Sequence, residues 1–376
     1  MSMDAQRKPS EAAGESFIKP DAGLQPPPAE LLELAAGVSE APPLATPLGE
    51  EEEMEQKRRA PSPLRESLRR LRRDKRAMFS LGLIIFFVLV AFFGPPIYQH
   101  IGGIYQSPQN GPVPASVYHS YYHEELIRQD EGPSAQYWLG TDDLGRDILA
   151  RLMQGMLVSI IVAALVEVVD IVLGLIVGVL AGYFGGWIDQ LLARFTDLMF
   201  AFPGLLFAIM LTGIIGPGAS DALAKLPIIG PNGNGRLLLV SLALAITVWP
   251  LMARYVRGQT LQLKEQQFIE AARTSGSSDL RIIFRHIIPN LMSIVVVAST
   301  LNISNTIIGE AGISLLGLGV QAPGSSLGLM ISDATPYINT HPWEILVPTT
   351  VLALIVVAFS FLGDGLRDAF DPRSKD

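Results

Sequence analysis

Six long stretches of this chain are dominated by apolar residues, and they limit its fold more than any other feature. They run over residues 78–98, 159–184, 191–215, 237–252, 287–308 and 345–362. About 20 helical residues cross a hydrocarbon core of about 30 Å, so five of the six are long enough to span it alone. The fourth is shorter, and needs Arg254 and Arg257 as interfacial anchors or a bend at Pro250. Pro203 predicts a kink in the third. The runs are continuously apolar rather than alternating, which excludes barrel strands. The expected fold class is all-α integral membrane with six transmembrane helices.

Composition agrees. Charged residues make up 17% of the chain and the mean hydropathy is +0.35, whereas soluble domains carry about 25% charged residues. Acid and base are segregated: Glu50–Glu53 and Glu55 precede a basic block from Lys57 to Arg76 that includes Arg65, Arg69, Arg70, Arg72 and Arg73. Positive charge before the first span predicts a cytoplasmic N-terminus. Counting spans then places 99–158, 216–236 and 309–344 outside, and 185–190, 253–286 and the C-terminus inside. The 253–286 loop carries Arg254, Arg257, Lys264, Arg273, Arg281 and Arg285, and the tail carries Arg367, Arg373 and Lys375, as that topology requires. The basic block beside a span serves orientation, so no nucleic-acid partner is expected. There is no cysteine, which excludes disulfides and thiolate metal sites.

The expected layout begins with a disordered cytoplasmic extension over 1–60, too rich in Pro, Gly and Glu to offset the entropy of ordering. No apolar core with a cleavage site opens the chain, so no cleaved signal peptide is expected. A basic amphipathic surface helix follows over 61–77, with Leu64, Leu68 and Leu71 dipped into lipid and arginines facing phosphates. Next come the first span over 78–98, an outer loop and lead-in over 99–158, a five-helix core over 159–365 and a cytoplasmic tail over 366–376. Residues 309–344 begin apolar and are punctuated by glycines. They suit either a partly re-entrant element or a compact outer loop.

The loop 262–290 is the most informative. A helix is expected up to Thr274, with Phe268, Ile269 and Ala272 as an apolar stripe and Gly276 ending it in the left-handed conformation. Ser277 or Ser278 caps a second short helix with Asp279 in its first turn, and Pro289 marks the entry to the fifth span. The result is a compact knob whose surface Ala271 and Ala272 keep low.

Glu270-Ala271-Ala272, Gly276 and Ile288-Pro289 resemble the EAA signature of ABC importer permeases, in particular the dipeptide, oligopeptide and nickel branch. That branch's lead-in to the second span is similar to Leu139-Gly140-Thr141-Asp142, Gly145-Arg146-Asp147 and Arg151. Ala181–Trp187, Ala201-Phe202-Pro203, Glu310-Ala311, Leu316–Gln321, Gly363–Asp368 and Asp371-Pro372-Arg373 extend the likeness over about 63–373. Leu327 stands where such relatives often show tryptophan. The resemblance implies a type I importer permease with a cytoplasmic EAA coupling loop. It also implies a second related permease subunit, two cytoplasmic ATPase subunits and an extracytoplasmic solute-binding protein. ATP and Mg2+ would then be bound by the partner ATPases, and this chain would hold no cofactor. The cargo would be peptides or similar small solutes crossing the cytoplasmic membrane.

The residues themselves agree that energy comes from elsewhere. No GxxxxGK[ST] phosphate loop is present, and the glycine-rich run 231–236 lacks its lysine and serine and reads as a turn. No HExxH or GxSxG constellation points to an enzyme. Glu167 and Asp170 lie three apart in the second span and share a face. They are candidates for a hydrated path, for pairing with a sister subunit, or for a proton relay in a secondary transporter, the rival function. Asp197 in the third span is equally open. The segment Gly140, Thr141, Asp142, Gly145, Arg146, Asp147 is a candidate gate or binding-protein contact, with local capping and pairing as the alternative. His341 and the other histidines lack metal-ligand spacing, so no metal site is expected.

Overall fold

The computed structural model describes residues 63–224 and 234–370. The extension expected over 1–60 lies outside the described residues, as do residues 371–376 of the tail.

Helix α1, Pro63–Arg73, carries Glu66 in its first turn and Arg70, Arg72 and Arg73 in its last, each favourable against the helix dipole. It does not continue to 77. Asp74 accepts hydrogen bonds from the Arg76 and Ala77 amides at 2.8 and 3.3 Å and starts a second helix, α2, Lys75–Tyr98. Leu71 is not dipped into lipid as expected. It is buried against Ala77, Leu366 and Ala369, because the last helix runs on far enough to offer a nearer apolar partner.

The stretch after α2 forms an antiparallel hairpin, β1 Ile104–Ser107 with β2 Gly111–Pro114, in which Tyr105 pairs with Val113. Helix α3, Ile148–Phe184, has 37 residues and begins inside the segment expected as lead-in. Asp147 sets that start by accepting from the Leu149 and Ala150 amides. At 1.5 Å per residue, α3 is about 55 Å long and exceeds what a bilayer core needs.

The third apolar run is a broken pair rather than a kinked span. Helix α4, Gly186–Phe200, and helix α5, Gly204–Ala224, meet at 76°. Pro203 lacks an amide donor and disfavours helical geometry at the residue before it, so the break falls at 201–203. Helix α6, Asn234–Lys264, runs through Pro250 and well past 252. The fourth run is therefore part of a longer helix that carries Arg254 and Arg257. The turn expected over 231–236 lies partly outside the described residues, and Asn234–Arg236 already belong to α6.

Beyond α6 come α7, Gln267–Thr274, and α8, Asp279–Ile282. A π-helical turn, Ile283–Ile287, joins α8 to α9, Ile288–Leu315. Then follow α10, Leu327–Ala334, and α11, Pro342–Phe370. The helix thus passes position 365 into the segment expected as tail. Within 309–344, which begins in α9 and ends in α11, α10 packs against α3, α9 and α11. Leu327 is fully buried there beside Ile148, Met153 and Ile307. Among the described residues, five helices are long and apolar enough to cross a membrane, or six if the bent pair is one span.

A glycine seam joins α3 to α6. A Cβ on Gly174 would stand 2.4 Å from Met252 Cγ. On Gly178 it would stand 2.6 Å from the Ala253 carbonyl, and on Gly182 2.7 Å from Thr260 Cβ. Small residues four apart let two backbones touch, which is how helices gain packing energy where lipid already satisfies apolar side chains.

Candidate functional site

Residues 262–290 form the helix-turn-helix that the sequence predicts, without the expected serine cap on its second helix. Helix α7 ends in a paired closure: the Ser277 amide donates to the Ala272 carbonyl at 3.1 Å and the Gly276 amide to the Arg273 carbonyl at 3.0 Å. Gly276 has φ +79°, the left-handed geometry this closure needs. Its position is otherwise open, since an added Cβ would meet nothing within 4 Å. Any cost of substitution there is therefore conformational. Ser278 stands at the start of α8 without a side-chain cap. Pro289 stands in the first turn of α9 and marks the entry to the span, as expected. The Ile288 amide reaches back five residues to the Ile283 carbonyl, and this wider turn carries the helix into α9.

The base of the loop is apolar. Ile269, Ile282, Ile283 and Ile287 are buried in one cluster with Val179 and Tyr183 of α3 and Met252 and Val256 of α6. Tyr183 donates its hydroxyl to Asp279 at 2.6 Å. Arg273 lies over the Tyr183 ring at 5.8 Å. The tip is exposed: Glu270, Ala271 and Gly276 face outward with Phe268, Leu280 and Phe284, while Ala272 and Ile288 are half-buried and Pro289 is exposed. Of the expected stripe, Ile269 is buried, Ala272 half-buried and Phe268 exposed.

At the other end of α3, the segment 140–147 is buried. Thr141, Asp142, Arg146 and Asp147 are each at most 5% exposed. Asp142 accepts from the Leu144 and Arg146 amides and from Arg146 Nε at 2.8 Å, and it pairs with Arg151. Arg151 and Arg146 also reach Asp333 of α10, at 2.9 and 3.4 Å. Besides starting α3, Asp147 accepts from Tyr98 at 2.9 Å and pairs with His119 at 2.7 Å, tying α2 to α3. Gly145 has φ +73°, and a Cβ there would fall 2.0 Å from the Glu125 carbonyl. Burial, and after it the neighbouring Asp142 carboxylate, push the Asp143 carboxyl above its ordinary value, with Arg146 opposing. Capping and pairing account for the contacts of these side chains. Asp333, the far partner, gave no sign in the sequence, because an ion pair between distant segments has no local period.

Glu167 and Asp170 lie near the midpoint of α3, buried inside the chain, and share one donor: Asn302 Nδ2 of α9 approaches them at 3.2 and 3.4 Å. Asn302, a polar residue amid an apolar run, was the available signal for this contact. Asp197 is exposed and pairs with Arg254 at 2.7 Å, and Arg254 also lies 3.8 Å over the Phe200 ring. Nearby, Asp189 pairs with Arg257 and fastens α4 to α6.

The match to known proteins covers nearly all the described residues. Residues 174–376 match the family described as binding-protein-dependent transport system inner membrane component. Residues 62–109 match the N-terminal transmembrane domain of oligopeptide transport permease C. The dipeptide transport system permease protein DppC of Alkalihalophilus pseudofirmus is 36% identical over 89% of this chain and 98% of that protein. The glutathione transport system permease protein GsiD of Shigella flexneri serotype 5b is 40% identical over 84% of this chain and 92% of its own length. The oligopeptide transport system permease protein OppC of Bacillus subtilis is 34% identical over 82% of this chain and 89% of that protein. These likenesses favour a binding-protein-dependent permease over the proton-coupled transporter weighed for Glu167 and Asp170. With its apolar helices and its match over both regions, the chain belongs to the binding-protein-dependent transport system inner membrane components, as a multi-pass membrane permease subunit.

Proposed function

We propose that this chain is one of two related pore subunits of an ATP-binding-cassette importer of type I architecture, carrying peptides or similar small solutes. Two cytoplasmic ATPase subunits, with ATP and Mg2+, drive it, and an extracytoplasmic solute-binding protein loads it. The N- and C-termini are cytoplasmic, in keeping with the basic residues before α2 and after α11. The cargo class is carried over from the dipeptide, oligopeptide and glutathione permeases that the chain resembles.

One observation carries the reading: an exposed helical tip on a base fused to the membrane helices. Glu270, Ala271, Ala272 and Gly276 shape the tip that an ATPase groove holds, and Ile288-Pro289 lie where the loop becomes the span. Ile269 and Ile282 lock that tip to α3 and α6, so a push on it tilts the spans rather than bending the loop. Gly140, Thr141, Asp142, Gly145, Arg146 and Asp147 build the outer cap, where the pore meets the binding protein. Glu167 and Asp170 serve the packing of α3 on α9, and exposed Asp197 faces the pore or the sister subunit.

Gly276→Val tests the coupling role. Forcing a β-branched residue into the left-handed region costs about 1–2 kcal/mol, enough to distort the tip by favouring another backbone geometry. In proteoliposomes holding the whole importer, uptake should fall about tenfold while ATP hydrolysis continues. Uptake that stays proportional to hydrolysis would refute the coupling role.

A further inference from the structure

Three side chains from distant parts of the sequence meet on the outer-loop side of the bundle. Asp130 comes from the loop before α3, His341 from the turn before α11, and Glu344 from the first turn of α11. One ligand atom of each lies within 4.8 Å of the other two. His341 Nδ1 stands 3.9 Å from Asp130 Oδ2. The Thr340 hydroxyl also approaches Nδ1, at 3.3 Å.

Each of the two carboxyl groups leaves one oxygen without a hydrogen-bond partner among the described residues. Glu344 is only 3% exposed, and its Oε1 is buried without a hydrogen-bond partner; Asp130 Oδ1 is in the same condition. A buried carboxylate oxygen with nothing to bond costs free energy that the fold must recover elsewhere. Nor does the neighbourhood neutralise them. Asp142, Asp143 and Asp333 line the same small cavity as Glu344, and the Asp130 amide bonds the Asp142 carbonyl at 3.0 Å. The guanidiniums there, Arg146 and Arg151, are bound to Asp142 and Asp333. Arg146 also stands 3.6 Å from Asp143, and among the described residues no guanidinium pairs with Asp130 or Glu344.

We propose that Asp130, His341 and Glu344 form a binding site for a divalent transition-metal ion that clamps the outer loop to the start of α11. Two carboxylate oxygens and an imidazole nitrogen suit Zn2+ and similar first-row ions, whereas Mg2+ and Ca2+ favour all-oxygen sets. Ligands in a tetrahedral zinc site stand roughly 3.4 Å apart. Closing the 3.9 Å gap between His341 and Asp130 is therefore a matter of side-chain adjustment. With three protein ligands the fourth position falls to water. The ion satisfies both stranded oxygens at once and joins segments that otherwise touch through few polar contacts. The site is structural, remote from the 262–290 loop, and independent of the cargo.

Full-length, tag-free permease in detergent, stripped with EDTA and titrated with Zn2+ against a competing chromogenic chelator, should bind one ion per chain. His341→Gln and Glu344→Gln should each weaken that binding by about tenfold or more. Zn2+ should raise the thermal midpoint of the parent chain and leave both variants unmoved. Hydrogen exchange of the parent chain supplies a readout that does not depend on variants folding. Amides of 126–143 and 337–345 should exchange more slowly with Zn2+ than with EDTA. Equal Zn2+ affinity in parent and variants would overturn the site, as would exchange in those segments that Zn2+ leaves unchanged.

Discussion

The two ends of α3 are held together by opposite chemistry. At the Phe184 end, the 262–290 loop is fastened by Ile269, Ile282, Ile283 and Ile287, and its polar groups are turned outward. At the Ile148 end, the 126–147 loop is fastened by Asp142, Arg146, Arg151, Asp147 and Asp333, with the charges turned inward. Apolar attachment is non-directional: a greasy base keeps its hold from whichever side it is pushed. Buried ion pairs do not, because each lost partner strands a charge. The contrast suits a machine in which one end receives motion and the other keeps its shape.

The sharpest way to break that comparison is Asp142→Ala. It leaves Arg151, 2% exposed, short of its buried partner, and should cost about 3–5 kcal/mol. A large drop in thermal midpoint is expected, with faster hydrogen exchange confined to 126–151. A shift under 1 °C would mean that solvent, not Asp142, compensates Arg151. The matching experiment at the other end is Ile269→Ala. It opens a cavity under α7 and should cost about 2–4 kcal/mol, with exchange rising in 262–290 instead. If both variants loosened the same region, the two ends would be one cooperative unit and the contrast would fall.

The smallest effect sharpens the charge side. Asp143 has its carboxyl raised by burial, so the folded state holds a proton more tightly than the unfolded chain does. Between the ordinary aspartate value and the raised one, stability therefore falls as pH rises. Asp143→Asn should flatten that part of the stability–pH profile and leave the rest unchanged. A profile identical to the parent's would show that Asp143 is as solvated as any surface carboxylate.

The residues made some of this architecture readable and hid the rest for physical reasons. Long apolar runs announce helices because water penalises their exposure whatever they pack on, and Gly276 announces a helix end because few other residues take its backbone angles. Prolines mislead in both directions. Pro203 reads as a kink and breaks the helix, while Pro250, read as a bend, lies inside α6. Neighbouring helices decide which outcome prevails, and a local reading does not see them. The role of Asp142 is half legible: Arg146 is close in sequence, but Asp333 arrives only once α10 has folded onto α3. The same is true of Asp130 beside His341.

The seam of Gly174, Gly178 and Gly182 has a mechanical consequence. With no side chain between them, the backbones of α3 and α6 have almost no room for relative slip, and α6 leads within two residues into α7. Whatever displaces the tip at Glu270 therefore moves a doubled strut instead of a single rod. A doubled strut resists bending, so displacement at its Phe184 end reappears as rotation some 55 Å away, at the 140–147 segment.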